Sequence, residues 1–74
     1  MERPSLDRAE AFERLRPLLF SIAYRMLGSA SEAEDAVQDS YLRFHSVEIA
    51  ELHSPKAYLT TIVTRLCLDR LSLK

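Results

Sequence analysis

Residues 31 to 46 read SEAEDAVQDSYLRFHS. Wound at about 100° per residue, this string separates into two faces. Ala33, Ala36, Val37, Ser40, Tyr41 and Phe44 fall on one side and make an ordinary core stripe. Asp35, Gln38, Asp39 and Leu42 fall on the other, a leucine ringed by two carboxylates and an amide where water should be. A charged outer face needs no explanation. An apolar residue at its centre has the form of half an interface, with acids to orient a basic partner and a leucine to be desolvated. Single exposed leucines are also common on plain surfaces, and helical geometry alone leaves both readings open.

A chain of 74 residues is one domain, 1–74, with a modest core that partners would help to stabilise. Cys67 is the single cysteine, so no internal disulfide forms, which fits a reducing cytoplasm. No apolar run is long enough to span a bilayer, and the opening MERPSLDRAE lacks the basic-then-apolar order of a signal peptide. The expected location is cytoplasmic. The net charge of −1 argues against an undifferentiated nucleic-acid binder, but its distribution is uneven: residues 1–40 carry eight acids and five bases, residues 41–74 three acids and five bases. An acidic helix and a mildly basic one imply two kinds of partner.

Residues 1–6 read as a flexible lead-in. Asp7 with Glu10 has capping-box spacing and starts a first helix, whose stripe is Phe12, Leu15, Leu19, Ile22 and Met26. Pro17 removes a backbone donor and crowds the Glu13 carbonyl, so a kink near Pro17, or two abutting helices, is expected. Gly28, the only glycine, stands where the stripe stops and suits a left-handed C-cap. The second helix starts at Ser31 with Glu34 as a capping box, or alternatively at Ser29 with Glu32, and ends near His45. Glu32, Glu34 and Asp35 favour its N-terminal dipole; Asp39 lies too far along for that role.

Ser46–His53 reads as an ordered loop. His45 and His53 flank Glu48 and Glu51, but the spacing matches no usual ligand pattern, so neither a metal nor a cofactor is expected. Ser54–Pro55 opens a third helix, serine as N-cap and proline at the first position. Its inner stripe is Leu59, Ile62, Val63 and Leu66, with Tyr58 at the margin and Cys67 at the edge as an inert small apolar residue. Thr60, Thr61, Thr64 and Arg65 spread over the other side, with Leu68 among them. The β-branched run lowers helix propensity, so packing must hold this segment helical. The sum is an all-α, three-helix bundle.

AEDAVQDSYLRFH followed by SPKAYLTTIVTRLCLDRL, in that order and spacing, resembles region 2 of the extracytoplasmic-function (ECF) sigma factors, bacterial initiation subunits of RNA polymerase. The resemblance runs from about Phe12 to Leu71 and is strongest to the subgroup with a C-terminal SnoaL-like domain. It implies a sigma-70 region 2-like fold. It also implies that Asp35, Gln38, Asp39 and Leu42 dock on the basic clamp helices of the polymerase β′ subunit, where the acids would steer association. It further implies that the loop and the third helix read the promoter −10 element as the strands open, holding a flipped base of the single-stranded non-template strand. That role falls on His45, Ser46, His53, Ser54, Lys56, Thr60, Thr61, Thr64 and Arg65, with threonine and arginine as phosphate and base-edge donors. An anti-sigma factor and the C-terminal domains are further partners the resemblance allows.

Two departures stand out. Glu48 and Glu51 would repel phosphates unless turned away, and His45 and His53 are the only rings in or beside the loop. The chain also stops at Lys74, without the region 4 that binds the −35 element, so it is expected to be a domain of a longer factor or a truncated one. Leu68, Leu71 and Leu73 are then candidates for self-association. The rival reading is a generic three-helix protein–protein module. An enzyme is not expected, because no nucleophile–base pair, phosphate loop or metal cluster is readable.

Overall fold

The computed structural model describes residues 8–47 and 54–72. They form three helices, α1 (Arg8–Leu27), α2 (Ala30–His45) and α3 (Pro55–Ser72), each packed on the other two. The Asp7 cap and most of the Ser46–His53 loop lie outside the described residues.

Helix α1 runs as one helix through Pro17 rather than as two abutting pieces. The carbonyl of Glu13 loses its donor there, but Glu13 and Pro17 both face solvent, so water can satisfy it. The core stripe of α1 is Phe12 and Leu19 at its centre, flanked by the partly buried Leu15, Ile22 and Met26, with Ala11 and Ala23 also buried. The helix stops at Gly28, whose φ of +71° is the left-handed conformation that a side chain would strain. Its N–H still reaches back to the Tyr24 carbonyl at 2.8 Å. A side chain would have open space around it, so the constraint is the backbone angle alone.

Because α1 ends there, α2 starts at once. Ser29, not Ser31, is its N-cap: the Glu32 N–H donates to Ser29 Oγ at 3.3 Å, and Ala33 N–H to the Ser29 carbonyl at 2.9 Å. Ser31 sits inside the helix, its hydroxyl 3.3 Å from that of Ser29. The turn of Gly28 and Ser29 folds α2 back antiparallel to α1. At the far end of this hairpin, the Arg8 guanidinium donates to the Val47 carbonyl, and one turn nearer the connection the rings of Phe12 and Tyr41 meet at 4.7 Å.

The inner face of α2 is the one its periodicity predicts: Ala33, Ala36, Val37, Ser40 and Phe44 are buried and Tyr41 is packed against them. Ser40, the buried polar residue, donates its hydroxyl to the Val37 carbonyl at 2.6 Å, so no polar atom there is orphaned. Helix α3 opens on Ser54, whose Oγ accepts the Ala57 N–H at 3.1 Å. Here the stripe differs from expectation. Leu59, Val63 and Cys67 are fully buried, while Ile62 and Leu66 sit at the margins. Cys67 is thus a central core residue rather than an edge one. Burial pushes its thiol above the ordinary range, against a smaller downward pull from Arg70, so it stays neutral and unreactive.

Candidate functional site

The face of α2 turned from the core carries the first set of candidate residues. Packing of Ala33, Val37, Ser40 and Phe44 inward leaves Asp35 and Gln38 exposed, and neither has a partner among the described residues. Leu42 keeps 58% of its surface in water, a large share for a leucine on a helix that buries five other residues. Asp39, half-exposed, pairs with Arg70 of α3 at 3.5 Å. Solvated pairs of this kind contribute about 0.2–1 kcal/mol, so the carboxylate can be released to another cation at small cost. A shallow groove beside it is lined by Asp39, Leu42, Arg43 and Ser46. All four sequence-predicted residues therefore share one surface: two free acceptors or donors, one loosely held carboxylate and one apolar centre.

The second set separates into smaller groups. Thr60, Thr61, Thr64 and Arg65 line one shallow groove on α3. Two of its hydroxyl protons are engaged on the helix itself: Thr60 donates to the Ala57 carbonyl at 3.1 Å and Thr64 to the Thr60 carbonyl at 2.7 Å. Such back-bonding leaves oxygen lone pairs to accept but no proton to give. Thr61 and Arg65, one turn apart and both exposed, keep their donors free among the described residues. Lys56 is not part of this groove. It lines another one with Ala11, Arg14, Leu15, Ser54 and Pro55, at the start of α3 against α1, and Ser54 is engaged as the N-cap. His45 and Ser46 end α2: the Ser46 hydroxyl donates to the Arg43 carbonyl at 2.9 Å, and the His45 ring lies 5.5 Å from that of Tyr41. His53 lies outside the described residues.

Three charged side chains near the α2 surface were not signalled by the sequence. Arg43 is adjacent to Leu42 and visible only as an ordinary last-turn base. Arg70 reaches Asp39 from the far end of the chain, with no local pattern to announce it. Glu34 reads as a helix-start acid, yet it lines a groove toward α1. Among the described residues, no group of three or more His, Cys, Asp or Glu is placed to hold a metal ion, and no helix is long and apolar enough to cross a membrane.

Comparison with known proteins gives this arrangement a family. No solved structure matches the chain. It is 48% identical over 60 residues to the ECF RNA polymerase sigma factor SigJ of Mycobacterium tuberculosis (strain ATCC 25618 / H37Rv), covering 81% of this chain and 19% of that one. It is 31% identical over 61 residues to a probable ECF RNA polymerase sigma factor, SigI, of Mycobacterium tuberculosis (strain CDC 1551 / Oshkosh), covering 82% and 21%. The chain thus spans about a fifth of the length of these relatives. Residues 11–73, which include all three packed helices but for the first turn of α1, match the family model for sigma-70 region 2, and the chain belongs to that family.

Proposed function

We propose that this chain serves transcription initiation as region 2 of an ECF sigma factor, binding the RNA polymerase core through the β′ clamp helices and engaging the promoter −10 element as it melts. The observation that carries the reading is Leu42, exposed at the centre of Asp35, Gln38 and Asp39 on a side of α2 that the chain's own core does not use. Carboxylates there steer a basic helix pair into register. Leu42 supplies the apolar contact that loses its water, and Gln38 a directional hydrogen bond. Asp39 exchanges Arg70 for a cation of the partner.

The α3 groove then faces DNA. Arg65 and Thr61 donate to phosphates or base edges, Thr60 and Thr64 accept from base amino groups, and Lys56 adds a cation at the start of the helix. His45, Ser46, His53 and Ser54 border the loop that would surround a flipped, single-stranded base of the non-template strand. With a net charge of −1, the domain depends on polymerase to hold it on the promoter. The role requires no catalytic residue or cofactor and belongs in the cytoplasm. An anti-sigma factor and the rest of a longer factor, a SnoaL-like domain included, are the further partners of this reading.

Capture of polymerase core, or of a β′ clamp-helix fragment, by the immobilised chain tests it. Asp39→Arg and Leu42→Glu each lower capture by about tenfold or more, with helical content unchanged because both side chains are at the surface. Capture that survives both substitutions would remove α2 as the docking face.

A further inference from the structure

The chain leaves α2 through a closed turn. Ser46 N–H donates to the Arg43 carbonyl and Val47 N–H to that of Phe44, at 3.2 Å each. The Ser46 hydroxyl adds a second bond to the Arg43 carbonyl at 2.9 Å. These bonds use the donors at the helix end and leave its final carbonyls without an intrahelical partner. The one at Val47 is met from 39 residues away, by the guanidinium of Arg8.

Arg8 is an unexpected group for that place. It opens α1 one turn before Phe12, which packs on Tyr41, and the Tyr41 ring in turn lies beside that of His45. The guanidinium is part-buried at this aromatic corner, and its Nε, removed from water, meets no acceptor among the described residues. A carbonyl at a helix end can take its hydrogen bond from water. Burying a cation with an unmet donor costs stability instead. What the contact adds is definition: one backbone point at the exit of α2 is fixed relative to the start of α1.

We propose that Arg8 is a positioning residue for the −10 strand. By holding the Val47 carbonyl it sets where the chain leaves α2, and with that the placement of His45 and Ser46 against a base. This rests on the −10 reading given above. Arg8 itself touches no nucleotide in this role, because its guanidinium is turned onto the protein backbone. It also lies apart from Asp35, Gln38, Asp39 and Leu42, so its loss leaves polymerase docking intact.

A pool of single-stranded DNA with a randomised core, presented to the chain on polymerase core, supplies an enriched strand, and a scrambled copy of that strand is the control. Arg8→Met keeps the aliphatic stem and removes the donors. It is expected to weaken the enriched strand by about five- to tenfold and the scrambled strand by less than about twofold. Affinity for polymerase core and helical content stay unchanged. Arg8→Lys, which restores a charged donor, recovers most of the loss. Equal weakening of both strands makes Arg8 a phosphate contact, and a parallel fall in polymerase affinity or helical content makes it a purely structural one. Either result overturns the positioning role, as does an enriched strand bound as tightly by Arg8→Met as by the native chain. If the native chain on polymerase core enriches no strand, the −10 reading fails and the role of Arg8 fails with it.

Discussion

Helices α2 and α3 are of similar length and share one core, yet they reach the helical state by opposite routes. Helix α2 is locally consistent. It has a serine cap, an acid in its first turn, two bases in its last, and five buried residues on one side against an exterior that is polar except for Leu42. Helix α3 has a cap and little else. Thr60, Thr61, Ile62, Val63 and Thr64 disfavour the helix intrinsically, its leucines are distributed around its circumference, and Leu68 and Leu71 remain 52% and 40% exposed. What holds α3 is Leu59, Val63 and Cys67 buried against the α1–α2 hairpin. The lesson is that the helical state of α2 is supported by its own residues, whereas the shape of α3 is on loan from the core.

The largest expected effect breaks that dependence. Leu59→Ala removes a fully buried side chain and costs about 2–5 kcal/mol, against a total of about 5–15 kcal/mol for an ordinary domain. Urea unfolding followed by circular dichroism should show a much lower midpoint. Hydrogen exchange should rise in α3 before α2; equal loss in both helices would mean that α3 is not the dependent partner.

The cap of α2 is the next test. Ser29→Ala should destabilise the domain by about 1 kcal/mol, while Ser31→Ala should leave the midpoint nearly unchanged. The reverse order would move the helix start.

Smaller still is the tie between the two helices. Arg70→Ala gives up a partly exposed pair, about 0.2–1 kcal/mol of stability, and frees Asp39, so under the proposed docking polymerase core should bind up to about fivefold tighter. In an Asp39→Asn background the gain should vanish.

The smallest effect sharpens the reading of the threonines. Thr60→Ala and Thr64→Ala should each raise stability by a few tenths of a kcal/mol through better propensity. Each also gives up an oxygen proposed to accept from base amino groups, so binding of a −10 single strand in the presence of polymerase should weaken by about two- to fivefold. Arg65→Ala should instead lower the slope of log affinity against log salt by about 0.7.

These contrasts track what could be read from the residues beforehand. The inner face of α2 was legible in full, Tyr41 included, because its larger apolar residues other than Leu42 recur on one side at helical spacing. The outward position of Asp35, Gln38 and Leu42 followed from the same sorting. In α3 the stripe was displaced: Ile62 and Leu66 proved marginal and Cys67 central, because apolar residues on nearly every side leave the direction of the neighbours undefined. The start of α2 was ambiguous for a local reason. Ser29 and Ser31 each precede a glutamate by three residues, and only the left-handed Gly28, ending α1 immediately before, decides between them. The pairing of Asp39 with Arg70 and the separation of Lys56 from the threonine groove depend on how distant helices meet, which no short-range pattern encodes.

The placement of Cys67 has a practical corollary. A lone sulfur sealed beneath α3, with its ionisation suppressed by the apolar surroundings, reacts with an alkylating reagent only when that helix lifts away. The native chain therefore carries its own clock for opening. The rate at which the thiol is labelled, with and without the proposed polymerase partner, reads how much a contact on one side of the bundle tightens the helix on the other.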